Sequence, residues 1–533
     1  MPIPKAAVER YLSRPIESIA WYNDLKPLEV EYDLSFCRPL IKPRVPLRPD
    51  QKVVLLAALS SPGLVVMSDL GWGKTGLSLE LLQYYYDAGF IRRAVVFAPT
   101  DEVAEGWVDE IVKWKFDVPY VQLRGSSRDK WEQAGRIDKG ILIGTYAGIS
   151  AMVSKLVPAV DKDGKSTGRN KREIVSRLIL GMISRVDAVV FDQSTRLGST
   201  DSLSYQVCLE FSREAQLRYS LAGRAFGRDP FVLWSQFFLT DGGRALGRSP
   251  GMFREAFWRR VVTPWGVSWK FRKRRESALA GFIAASSLRY SIDECVSLPP
   301  KVNLPPSKCT FPDENWDYYD RIVEELAEAR GNYREVQNAF LRMRQISSGF
   351  VGFVDDDTGE KAQIEFEKNP KLDLLMELIS EVPEDCKLIV FYEFTWSGAR
   401  ICQELSRRKQ QFGWLWSGTK NWTSIKDKFN GDPDFRVIVA QWKKASMGLN
   451  LQAANYEFFY ESPVSSIERY ECEGRIYRTG QKRRSMIYDL VVRDSVDERI
   501  LEFHQEGRDI FRTLVEDPNL VVGRRGVRKG TSK

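Results

Sequence analysis

At 533 residues the chain is longer than one hydrophobic core organises, so it divides into two or three domains. Apolar residues at 43% and charged residues at 28% exclude wholesale disorder, and no apolar run is long enough to span a bilayer. The net charge of +8 permits a nucleic-acid partner without demanding one, because scattered solvated surface charge accounts for most of it.

The seven cysteines (Cys37, Cys208, Cys295, Cys309, Cys386, Cys402, Cys472) are odd in number and never spaced as CxxC. With His504 as the single histidine, they supply no zinc set and leave histidine catalysis nearly excluded. The N-terminal residues lack the apolar stretch and cleavage site of a secretory signal. A reducing intracellular compartment is expected.

In chain order, residues 1–46 are Pro-rich and read as an irregular extension packed on a first lobe, 47–227. That lobe alternates strand candidates GLVVMSD (63–69), AVVFAPT (94–100), ILIGTY (141–146), AVVFDQ (188–193) and YSLAG (219–223) with amphipathic stretches. Long charged helical segments such as 313–345, broken by LPPK and LPPS, mark 228–365 as a helical insertion and linker. A second lobe, 366–515, carries KLIVFYE (387–393), FRVIVAQ (435–441), YEFFYES (456–462) and MIYDLVV (486–492). Continuous apolar runs of this kind predict parallel strands covered on both faces, hence two α/β lobes. The tail, 516–533, is basic and read as disordered.

SDLGWGKTGLSLELL (68–82) follows a strand candidate and opens a helix, so its backbone N–H groups and the helix start can cradle a polyphosphate. Lys74 then reaches the outer phosphates, and the Thr75 hydroxyl ligates Mg2+. Ser68 replaces the first glycine of the strict pattern; the plainer alternative is a glycine-rich turn. Upstream, LRPDQK (47–52) offers Gln51 to an adenine edge, a weak signal strengthened by its place before the loop.

VVFDQ ends a strand candidate with Asp192, positioned to hold Mg2+. The next position ordinarily carries the general base Glu; here it is Gln193, which keeps the shape but takes no proton. ERYECEGRIYRTGQKRR (468–484) places Arg475 and Arg478 one turn apart on an expected helix, where two guanidinium groups on one face act as arginine fingers. For an isolated RxxR, a solvated charged helix is the plainer reading. WKFRKRRE (269–276) interleaves Trp269 and Phe271 with Lys270, Arg272 and three more cations. Either it contacts phosphate or its aromatics anchor a charged turn to the core.

With these segments in order, residues 47–515 resemble a superfamily 2 helicase motor, most closely the Swi/Snf-like double-stranded DNA translocases in a compact bacterial or phage form. The resemblance rests on LRPDQ, DLGWGKT, VVFAPTDEVAEGW, GTY, VVFDQS, LAGRA with LWSQFF, SLPPK, LRMRQISSGF, GLNLQAA and GRIYRTGQ. It implies two RecA-like lobes whose closure on ATP and Mg2+ assembles the site. It further implies ATP contacts at Arg48, Gln51, Leu70, Gly71, Trp72, Gly73, Lys74, Thr75, Asp192, Gly448, Arg475 and Arg478. DNA contacts are implied at Thr100, Trp107, Thr145 and Tyr146, and a coupling role at Asn450. Ala222–Ala225 (AGRA) and Glu471 depart from the family pattern, as does Gln193. A lone isosteric Glu-to-Gln change in an otherwise complete motor resembles an engineered, hydrolysis-deficient trap. The expectation is an ATP hydrolase acting on duplex or branched DNA as a monomer, beside replication or recombination proteins. Its alternatives are a naturally inactive ATP-gated DNA clamp and an RNA helicase.

Overall fold

The computed structural model describes residues 3–14, 41–160, 166–223, 231–263, 266–328, 333–354, 361–419, 421–445 and 451–506. Two compact units emerge: Met1–Val261 with Trp269–Val296, and Val262–Ser268 with Ser297–Lys533. The segment 228–365 is thus shared between them.

In the first unit seven strands form one sheet, in the order Ser287–Tyr290, Gly63–Ser68, Leu217–Ala222, Ala188–Asp192, Arg93–Ala98, Gly140–Thr145, Tyr120–Gln122. Every pairing is parallel. Alternate residues feed two cores, as the two-residue strand period requires. Val65, Met67, Val95, Phe97 and Phe191 enter one, while Leu64, Val66, Val96, Ile143 and Val190 enter the other. Helices cover both faces, so the continuous apolar runs predicted from sequence are doubly buried strands. The Ser287–Tyr290 and Tyr120–Gln122 strands were not foreseen, being short and polar.

Residues 5–12 form a helix rather than irregular chain, and it buries Val8 in the first core. Tyr11 Oη donates to the Leu246 carbonyl at 2.8 Å, and the Arg14 guanidinium lies 4.0 Å from the Tyr11 ring centre.

The second unit holds a second parallel sheet, in the order Lys301–Asn303, Ser485–Val492, Tyr456–Phe459, Leu388–Tyr392, Val437–Gln441, Phe412–Leu415, with Ser307–Cys309 also paired to Ser485–Val492. Ile389, Phe391, Ile438 and Phe459 face one core; Leu388, Val390, Val439 and Phe458 face the other. Helices Asp313–Glu328, Tyr333–Ser348 and Val496–Glu506 pack a separate cluster around Tyr319, Met343 and Phe503. In both units the large sheet is parallel throughout its described pairings, as two α/β lobes require.

Candidate functional site

The phosphate-loop strand, Gly63–Ser68, and the acid-bearing strand, Ala188–Asp192, are separated by one strand, Leu217–Ala222. Their carboxyl ends therefore open on the same edge, where parallel sheets hold ligands. Between Ser68 and the helix Lys74–Asp87 the loop turns through Gly71 (φ 76°) and Gly73 (φ 100°), left-handed conformations that disfavour a side chain. A Cβ on Gly73 would stand 2.6 Å from Gln51 Nε2. Lys74 Nζ donates to the Ser68 and Asp69 carbonyls at 2.5 and 2.9 Å, folded onto its own loop. Leu70 and Thr75 are half-buried on either side of the turn.

Gln51 is buried at the start of helix Pro49–Leu59; its Oε1 accepts from the Arg48 N–H at 3.0 Å and its Nε2 donates to the Trp72 carbonyl at 2.9 Å. Arg48 donates to that same carbonyl at 2.9 Å and forks onto the fully buried Asp50 at 3.1 and 3.0 Å. Trp72 is stacked on Tyr290, with ring centres 6.2 Å apart. Burial and the neighbouring Asp50 push the Cys295 thiol up to about 12. Asp50, Tyr290 and Cys295 escaped the sequence reading; only DQ beside Arg48 hinted at the first. Together these groups make a polar and aromatic platform against the loop.

Asp192 is buried at its strand end, and Trp107 Nε1 donates to its Oδ2 at 2.9 Å. Burial raises its pKa, while the Trp107 hydrogen bond, the Lys74 ammonium and the Gln193 N–H all favour the carboxylate. Gln193 adopts φ 50°, ψ 50°, the left-handed region, ahead of the short helix Ser194–Leu197. Its amide oxygen Oε1 is buried and accepts no hydrogen bond from the described residues. Ser194 next to it donates to Gln236 Oε1 at 2.7 Å, a support that sequence reading missed within LWSQFF.

Two residues expected at a DNA face point elsewhere. Trp107 is fully buried with its indole N–H spent on Asp192, so it has no donor to offer a backbone phosphate. Tyr146 is buried too, its hydroxyl donating to the Asp192 carbonyl at 2.8 Å. Both buttress the acid instead. Thr100 and Thr145 cap the helices Asp101–Trp114 and Tyr146–Met152, accepting from the Val103 and Gly148 N–H groups. Of the basic strip, Trp269 and Phe271 pack against the first core, which favours anchoring for the aromatics. Arg272 Nε donates to the Trp258 carbonyl at 3.0 Å, Lys270 is half-buried, and Lys273 and Arg274 are exposed.

In the second unit the helix Ser466–Glu473 stops before the arginine pair, so Arg475 and Arg478 do not share a helix face as predicted. Gly474 caps that helix, and the chain continues in turns to Gly480, at φ 99°. Arg475 is buried, with Nε donating to the Glu471 carbonyl at 3.0 Å; burial lowers its pKa while Glu471 opposes the shift. Arg478 is half-buried. Gly448 and Asn450 lie outside the described residues, as do Arg224 and Ala225 of AGRA and the tail.

Nearby, Arg469 binds Glu473 at 2.8 Å and forks onto Asp489, and Lys301 reaches Glu473 at 3.0 Å. Glu457, under this network, is fully buried with neither carboxyl oxygen hydrogen-bonded to a described residue. Burial, then repulsion from Glu473, raises its pKa well above the ordinary 4.5.

In the first α/β unit a two-glycine loop and a strand-end acid, one strand apart, thus share the carboxyl edge of one parallel sheet. No family model matches the chain. The ATP-dependent helicase YqhH of Bacillus subtilis is 23% identical over 481 residues, which cover 85% of this chain and 76% of that one. Protein p41 of Acyrthosiphon pisum secondary endosymbiont phage 1 is 23% identical over 497 residues, covering 88% and 98%. Of the first curated relatives it matches, a Mycoplasma genitalium helicase and a Schizosaccharomyces pombe DNA repair protein, the chain spans only 20% and 12%. A Sulfolobus solfataricus SWI2/SNF2 ATPase core in complex with dsDNA aligns over 93% of this chain and 96% of its own, at 18% identity and a TM-score of 0.37, too loose a likeness to bear on function. Over most of its length the chain is thus similar to an ATP-dependent helicase of Bacillus subtilis and to a phage protein.

Proposed function

We propose that this chain is an ATP-dependent motor that moves along or remodels duplex or branched DNA, and that Gln193 slows its hydrolytic step. The observation that carries the reading is the placement of the two-glycine loop and the Asp192 strand end, one strand apart, on one carboxyl edge of the first sheet. An outer phosphate draws Lys74 Nζ away from the Ser68 and Asp69 carbonyls, which hold it only while no anion competes. The platform of Arg48, Gln51 and Trp72 receives the base.

Thr75 and Asp192 are hard oxygen donors suited to Mg2+. When bound, the ion neutralises charge on the outer phosphates. The Trp107 hydrogen bond and the Lys74 charge favour the Asp192 carboxylate against burial, which raises its pKa. Gln193 Oε1 accepts a hydrogen bond from water but cannot remove a proton, which costs about 10²–10⁴ in rate relative to a carboxylate.

DNA as the substrate is supported by the motif order and by relatives named as helicases; the chain works as a cytoplasmic monomer. Comparing ATP turnover with duplex DNA, single strands and RNA tests the reading. Duplex-selective stimulation is expected. Selective stimulation by RNA favours the RNA-helicase alternative, and ATP binding without turnover in any arm favours the clamp.

A further inference from the structure

Between helix Tyr146–Met152 and helix Ser176–Ile183 the chain leaves the first unit as an antiparallel ribbon, Ser154–Val160 with Ser166–Ile174. Neither the acid motif nor the phosphate loop uses it. Its first strand extends about 23 Å at the usual rise per residue. The root is firm: Val175 N–H donates to the Val153 carbonyl at 2.8 Å, and Ser154 Oγ donates to the Ser150 carbonyl at 2.6 Å.

Beyond the root the ribbon is bare. Lys155, Leu156, Pro158, Asn170, Lys171, Arg172 and Glu173 are all exposed. An isolated two-stranded ribbon is marginal in water, so one with this many exposed side chains gains little stability for its length. Its exposed charged side chains among the described residues are Lys155, Lys171 and Arg172 against Glu173. Leu156, directly opposite Arg172, is 61% exposed, among the most exposed large apolar side chains described. Lys171 pairs with Glu173 at 2.8 Å, but both are half in solvent, where such a pair holds its partners weakly.

We propose that this ribbon is a docking surface for duplex DNA, separate from the nucleotide site, with its cations on phosphates and Leu156 against the groove wall. Charge complementarity selects a polyanion, and the width of a two-stranded ribbon matches the major groove of B-form DNA, whereas the major groove of A-form RNA is too narrow. The proposal rests on the DNA reading above and adds a contact outside the motor motifs.

The test measures binding of a short labelled duplex to the full chain across a salt series, with a fluorescent ATP analogue reporting the nucleotide site. The Lys155→Ala/Lys171→Ala/Arg172→Ala variant is expected to bind about tenfold more weakly and to lower the slope of log affinity against log salt by about 2 to 3. Leu156→Ala weakens binding without changing that slope. Because Val153 and Val175 are already bonded, replacing 154–174 with an Asn-Gly turn gives a second variant that retains the fold, and it reproduces the loss. ATP-analogue binding stays at the wild-type level in all three. Wild-type slopes in the charge and excision variants overturn the proposal while leaving the motor reading intact. Failure of the wild-type chain to bind duplex overturns both. A ribbon-dependent slope with duplex RNA but not DNA overturns the choice of partner.

Discussion

Asp192 and Glu457 are both buried acids on parallel strands, one in each sheet, and they solve burial in opposite ways. Asp192 ends its strand at the open edge, with an indole N–H, a backbone N–H and the Lys74 charge turned toward it. Glu457 pairs with Ile487 inside its sheet and has no hydrogen bond from a described residue. In the first, those donors and the Lys74 charge oppose the upward push that burial gives the pKa. The second keeps a carboxyl neutral, because burying an unpaired charge is far costlier than holding a proton. Burial by itself therefore does not mark a functional acid; the donors aimed at it do.

The contrast is broken most sharply by Lys74→Ala. Loss of this cation should weaken binding of a fluorescent ATP analogue by about 10²–10³, as removal of one charged donor to a developing anion does. Unchanged affinity would strip Asp192 of its main distinction. Trp107→Phe removes a hydrogen bond to a charged group and should cost about 1.5–3 kcal/mol in urea unfolding, with Mg2+ dependence shifted to higher concentration. A purely structural tryptophan would move stability and leave Mg2+ dependence in place.

Glu457→Gln is the smallest perturbation, and its sign follows from linkage. The folded pKa is raised above the ordinary 4.5, so the contribution to stability is complete below that value and is lost as pH rises through the folded pKa. The variant should remove this decline, so that its stability relative to the wild type rises with pH. A pH profile parallel to the wild type would mean that Glu457 is charged in the folded chain.

Much of the frame was readable from the chain. The apolar runs around Val65, Val95, Val189, Val390 and Val439 became doubly covered strands, because only a parallel sheet buries such runs on both faces. The loop glycines declared themselves through their spacing. What escaped notice depended on distant parts of the chain. Trp107 and Tyr146 turn inward to Asp192, and their motif positions carry no information about which face they take. Tyr290 and Cys295 join the platform through an edge strand too short for period-two alternation to register. The arginine pair seemed helical by spacing, yet Gly474 ended the helix first. The ribbon 154–174 was hidden by its polar composition, since alternation is weak where neither face is buried.

The central claim, a motor whose hydrolysis is limited at one side chain, meets its most direct test in duplex-stimulated ATP turnover by this chain and by Gln193→Glu. The account predicts slow turnover with Gln193 and an increase of about 10²–10⁴ on restoring the carboxylate, with ATP-analogue affinity unchanged. Equal rates for the two proteins, at equal nucleotide affinity, would contradict it.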